Sequence, residues 1–267
     1  MHVNTESYQE MRASICNVLN INDKDIDILF ESCYNKYQKD CPVFILDNQY
    51  DYFMEYIKEH LSKDIDKVLF FHLARRLDNI DDNGYDLVDM LIKDTSLSRF
   101  LMGYGLTFKY DRYIKIFKDG QEIDLNKFDN YSYNHLKYRF GYNHNNFSIK
   151  GYAFNDELEN NSDYEIAQSG PEFLSCLYPF VEDDLVDEFI ENSKFYKFEY
   201  LVPIEIIEFE NYEELNNDEK KYHIVVKALQ HLYAYKYDKF DFNNNITLGI
   251  KDNQILESKY LISKNEI

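Results

Sequence analysis

The sequence predicts an α+β protein, with an N-terminal helical layer followed by a bent, mostly antiparallel β-structure carrying short helices. Three observations predict it. Apolar residues recur at helical spacing through residues 1–65. Beyond them that period gives way to short apolar or alternating runs. One pair of such runs is joined by Asp119-Gly120, a strong hairpin turn. The chain therefore reads as a helical region, 1–65, and an α+β domain, 66–267.

In the helical region Tyr8, Met11, Ile15, Val18 and Leu19 form one stripe. Asn22 or Asp23 caps a second helix, whose stripe is Ile26, Leu29, Phe30, Cys33 and Tyr37, and Cys41-Pro42 ends that segment. A third helix runs from Asp47 to Leu61. The run Val68–Leu73 reads as a buried strand ending at Ala74-Arg75-Arg76, ahead of a turn-rich stretch from Asp78 to Gly84. Short helices are expected at Tyr85–Ile92 and Ser96–Met102, a strand at Leu106–Tyr110, and the hairpin over Tyr113–Leu125. Residues 126–170 read as loop-rich, with a polar stretch at 143–146 and one strand at Phe147–Phe154. Pro171 opens a helix to Leu177, and Leu185–Ile190 is another. Phe195–Phe209 alternates and predicts a long strand bent at Pro203. Asp218–Tyr235 predicts a helix with His223 and His231 at its surface. The tail, Ile246–Ile250 and Leu256–Ile262, predicts two strands.

Composition narrows the function. The chain has 267 residues, with 29 Lys and Arg against 49 Asp and Glu, a formal charge of −20. Such a surface repels a phosphate backbone, so nucleic acid is a disfavoured partner and a basic protein a favoured one. Tyr and Phe number 25 and 20, with no Trp. Gly and Pro number only 8 and 4, so elements should be long and joined by Asn and Asp turns. The four cysteines, Cys16, Cys33, Cys41 and Cys176, have neither CxxC spacing nor nearby His, which disfavours a metal site. Neither an apolar leader core nor a run long enough to span a bilayer is present, so a cytoplasmic protein with reduced thiols and no membrane partner is expected. Glycine-rich phosphate loops, GxSxG and HExxH are missing, which disfavours the commonest nucleotide-hydrolase, serine-hydrolase and zinc-protease readings.

Three constellations can carry chemistry. His72 at a strand end, followed by Arg75 and Arg76, offers a hydroxyl partner and two phosphate forks; its plainer reading is a hydrogen-bonded core histidine with arginines balancing acidic neighbours. Tyr152, in Gly151-Tyr152-Ala153-Phe154, can stack on a flat ring. Downstream of it, Glu172 at a helix start reads as dipole capping. Glu199, in Phe198-Glu199-Tyr200-Leu201-Val202-Pro203, can steady positive charge growing on an anomeric carbon, although the alternation of its strand turns it outward, away from Phe198 and Tyr200. The cluster Tyr138-Arg139-Phe140-Gly141-Tyr142 interleaves cations and rings as a base-stacking platform would.

The order His72, Tyr152, Glu199 resembles the histidine–tyrosine–glutamate order of ADP-ribosyltransferases, and Glu199–Ile204 looks like the glutamate-bearing strand of DarT-like toxins. The resemblance covers residues 68–210. It implies a split β-structure clasping NAD as substrate, with ribose contact by His72, phosphate contact by Arg75 and Arg76, nicotinamide stacking by Tyr152 and catalysis by Glu199. It also implies a toxin or phage-defence effector, and the acidic charge points to a protein or small-molecule acceptor. The competing class is a non-enzymatic acidic binder, such as an immunity protein, antitoxin or inhibitor that covers a basic partner.

Overall fold

The computed structural model describes residues 1–39, 47–78, 84–144, 147–181, 184–241, 244–251 and 254–267. Cys41-Pro42, most of the Asp78–Gly84 turn and part of the 143–146 stretch lie outside them. Among the described residues there are ten α-helices and two antiparallel sheets, helices first and strands after, an α+β protein. One sheet has six strands in the order β7-β8-β5-β1-β6-β9, with β1 Lys67–Arg76, β5 Lys150–Tyr152, β6 Lys194–Pro203, β7 Ile207–Phe209, β8 Thr247–Ile250 and β9 Leu261–Glu266. The other is β2-β3-β4, comprising Leu106–Asp111, Tyr113–Lys118 and Gln121–Glu122.

The chain divides into two compact units. The first takes Met1–Phe71, Gly151–Ser162 and Tyr200–Leu248. Residues 1–65 are therefore grouped with two later segments rather than forming a unit of their own. Helices α1 (Tyr8–Leu19) and α2 (Asp23–Tyr37) start as the sequence predicts. Ser7 caps the first, and Asn22 caps the second in a reciprocal box with Asp25, which satisfies amides that have no partner inside the helix. Helix α3 (Asp47–His60) and the long α10 (Asn217–Lys236) complete the bundle. Its centre is aromatic: Phe30, Phe53 and Tyr233 meet edge to face with centroids 5.5–5.8 Å apart, all fully buried. His223 and His231 are buried, 0% and 8% exposed, not at the surface as expected. Both are held by partners far away in sequence. Tyr50 Oη lies 2.9 Å from His223 Nδ1, and Asp156 Oδ2 lies 3.2 Å from His231 Nε2. Burial, reinforced by Lys227, pushes the His223 pKa down to about 3.

The second unit takes His72–Lys150, Asp163–Glu199 and Gly249–Ile267. Helices α4 (Leu87–Ile92) and α5 (Ser96–Gly103) pack on the small sheet through Leu87, Leu91, Leu97 and Leu101, against Leu106, Ile114 and Ile116. The Asp119-Gly120 turn forms as predicted, with φ of 50° and 81°; its second arm pairs at Gln121 and Glu122, and the Ile123 amide donates to the Ile116 carbonyl at 2.9 Å. Residues 126–170 are less irregular than expected: they hold α6 (Tyr131–Arg139) and α7 (Ser162–Gln168), and the predicted strand there shrinks to the three residues of β5. The helix after Pro171 is one turn, α8 (Phe173–Cys176), and α9 spans Leu185–Asn192. The long strand is broken by a 3-10 turn at Ile204–Ile206, just after Pro203. A proline removes a ladder donor there, as its position suggested.

Candidate functional site

Strand β1 continues through Arg75 and Arg76 rather than ending before them. Successive side chains on a strand point to opposite faces, so these two arginines part company. Arg75 donates to the carbonyls of Gln168 (2.7 Å), Ile190 (3.1 Å) and Ser193 (2.9 Å), and to Ser193 Oγ (3.0 Å). Its guanidinium pins the end of α9 to the sheet. Every one of those partners is neutral, and burial draws its pKa down. Nε and Nη1 of this arginine are thus committed to neutral groups of its own fold.

Arg76 goes the other way and stands over the Phe198 ring at 4.8 Å. The His72 ring lies 6.0 Å from the same Phe198 ring, and its Nδ1 is 2.8 Å from the Lys150 carbonyl. Lys264 of β9 reaches the rings of Tyr196 and Phe198, at 4.8 and 5.3 Å. One face of β1, β6 and β9 thus carries His72, Arg76 and Lys264 around a fully buried phenylalanine. Burial lowers the His72 pKa to about 4, with help from the Arg76 charge and against the hydrogen bond to Lys150. This histidine is neutral at pH 7, and because a carbonyl can only accept, Nδ1 is its donor nitrogen and Nε2 its acceptor.

Glu199 follows Phe198 on a continuous strand, so its carboxylate leaves on the opposite face. It is half-buried rather than turned out to solvent, because β9 runs beside β6 and covers it. Ser263 Oγ donates to Oε2 at 2.9 Å, while Oε1 is shielded and has no hydrogen-bond partner. Buried oxygens of this kind are uncommon. The alternation of β9 agrees, since Ser263 meets Glu199 while Lys264 meets Phe198.

Tyr152 belongs to the first unit, where it pairs with Phe71 across β5 and β1. Its neighbour Gly151 is needed for packing: a Cβ there would fall 2.6 Å from the Phe70 ring and 2.8 Å from the Phe71 carbonyl. Glu172 precedes α8 and lies 3.6 Å from His135 Nε2. The structure therefore brings His72 and Arg76 together and sends Arg75 and Glu199 to the other face. A dinucleotide held by His72 at its ribose with Glu199 at its reacting carbon needs both on one face, so these residues do not together fit NAD. The composition signal missed Ser263 and Lys264, which only the pairing of β9 with β6 makes neighbours of Glu199 and Phe198.

No protein-family model, curated protein or solved structure significantly matches this chain. Among the described residues, no group of His, Cys, Asp and Glu is arranged to hold a metal ion, and no helix is long and apolar enough to cross a membrane.

Proposed function

We propose that this chain is a non-enzymatic binding protein that uses acidic surface to cover a basic protein partner, in the manner of an immunity protein, antitoxin or inhibitor. The observation that carries the reading is the charge of −20 and its concentration in residues 205–219. That stretch holds Glu205, Glu208, Glu210, Glu213, Glu214, Asp218 and Glu219 with no Lys or Arg. All but Glu208 are exposed. The first cation after it, Lys220, is 1% exposed and donates to the Ile207 carbonyl at 2.6 Å, so its charge is withdrawn from the surface. Lys221 meets the run at Asp218. A band of one sign steers an oppositely charged partner and sets the salt dependence of binding.

The test is capture of basic proteins by the purified chain and by a Glu205→Gln, Glu210→Gln, Glu213→Gln, Glu214→Gln variant. The wild type should retain an identified basic partner at an ionic strength of about 0.1 M and release it at about 1 M, where screening is nearly complete, and the variant should not retain it. Equal retention by both proteins, or retention indifferent to salt, overturns the reading.

A second reading is NAD-dependent ADP-ribosyl transfer to a protein or small-molecule acceptor, and the unpartnered Oε1 of Glu199 favours it. In that reading Glu199 acts from its own face and His72 has no part. Incubation with labelled NAD decides it: unchanged NAD, and no difference between wild type and Glu199→Gln, removes it.

A further inference from the structure

The second unit contains a cleft of about 1220 Å³ between α5, α9 and the end of β3. Helix α5 gives it Ser96, Arg99, Phe100 and Gly103, which are spaced i, i+3, i+4 and i+7 and so share one helical face. Apolar walls come from Leu77, Phe180 and Val181. Lys118, at the end of β3, the adjoining Asp119, and Glu188 and Asn192, on α9, complete the polar lining.

The charged groups differ in what they have left to offer. Tyr104 Oη donates to the Glu188 carboxylate, and Lys118 Nζ donates to the Tyr104 carbonyl at 2.7 Å, so Tyr104 links the acid to the amine. Lys118 also meets Asp119 at 3.7 Å. An ammonium has three donors, and these contacts engage two of them. Arg99 pairs with Asp94 at 2.8 Å and with Asp78 at 3.4 Å through its terminal nitrogens, and none of those bonds uses Nε. Both cation heads keep donors, while the Glu188 carboxylate is already met by the Tyr104 hydroxyl and Asp119 by Lys118. Rings and aliphatic groups supply contact for a flat apolar body: Phe100 lies edge-on to both Tyr104 and Phe189, at 5.2 and 5.8 Å. Concave sites with apolar walls and a few convergent polar groups are the usual form of a small-molecule site.

We propose that this cleft binds a small aromatic ligand bearing an anionic group, with Arg99 and Lys118 on the anion and the ring between Phe100 and Phe180. One lining position gives a clean test. A Cβ built on Gly103 meets nothing within 4 Å, so a larger side chain there enters empty space without straining the helix. Titration of 2-naphthyl phosphate, read by naphthyl fluorescence, should saturate on the full chain. Gly103→Leu should weaken it by about tenfold or more, and Arg99→Gln and Lys118→Gln should each weaken it by about tenfold, the scale of one charge-assisted contact. The cationic analogue 2-naphthylmethylamine should bind more weakly than the phosphate. Thermal unfolding of each variant within a few degrees of wild type shows that the fold is kept; if Gly103→Leu fails that control, the half-exposed Arg99→Gln decides. Non-saturable binding, indifference to both Gly103→Leu and Arg99→Gln, or tighter binding of the amine than of the phosphate each overturns the proposal.

Discussion

The two faces of β1 and β6 in the second unit are built from alternate residues of the same strands yet solve opposite problems. On one, the neutral His72 and the cations Arg76 and Lys264 gather around the Phe198 ring, so both cations sit against a quadrupole. On the other, Arg75 is surrounded by carbonyls, and Glu199 has a single hydroxyl and one oxygen with no partner. Arg76 and Glu199 leave their strands on opposite faces, because a period of two separates neighbours in sequence more decisively than distance does. The order of functional-looking residues along a chain says little until the face of each is known.

The largest change expected is from Phe198→Ala, which removes a fully buried ring and leaves the first face without its platform. The cost should be about 3–5 kcal/mol in denaturant unfolding. Phe198→Leu, which keeps most of the volume, should cost well under half of that. Similar losses from both would mean that the ring is not filling the space between β1, β6 and β9.

Protonation tests the same face by another route. A histidine whose folded pKa is depressed binds its proton more readily when unfolded, so stability is fully present above the ordinary value near 6.5 and is lost as pH falls toward about 4. His72 alone should account for a loss on the order of 3 kcal/mol across that window. His223 adds to it and continues to about 3, and burial of His2 acts in the same direction. Carboxylates enter later. Burial raises the Asp156 pKa, but hydrogen bonds from His231 and Tyr235 bring it below its ordinary value, so its contribution disappears only under about pH 3.8. Urea unfolding at a series of pH values should show His72→Gln with a shallower slope between 6.5 and 4 than wild type; parallel curves would place the His72 imidazole in ordinary water.

Arg75→Ala should cost less, about 1.5–3 kcal/mol, because it leaves two carbonyls at the end of α9 and one at the end of α7 without their charged donor. Amide hydrogen exchange should then speed up in Leu185–Asn192 before it does elsewhere. A loss spread evenly over the second unit would argue that Arg75 is not a pin for that helix.

These contrasts also mark what was legible in the sequence. Helices α1 and α2 announced themselves through apolar stripes, and α2 also through its cap, since Asn22 sits where free amides need an acceptor. Helix α6 did not, because only Tyr133 and Leu136 of its nine residues are buried and the rest is polar or half-exposed aromatic. His72, Arg76 and Glu199 do lie within strands. Their relation was not readable, because it depends on β9, whose Ser263 and Lys264 lie more than sixty residues along the chain and form contacts only through pairing. His223 and His231 were read as surface residues because helical spacing cannot show that Tyr50 and Asp156 come to meet them.

The smallest effects should come from the two cations over Phe198. Arg76→Ala and Lys264→Ala each remove one cation from a ring face, worth about 0.5–1 kcal/mol at a partly exposed site. Stability alone cannot separate that from lost packing by the aliphatic stems. A double-mutant cycle can, because Arg76→Ala made in the Phe198→Leu background no longer has a quadrupole to lose. A coupling of about 0.5 kcal/mol or more would show that the ring carries the cation. Additive losses would mean that Arg76 merely lies across an apolar surface, and the two faces would then differ in which backbone groups they satisfy rather than in how they hold charge.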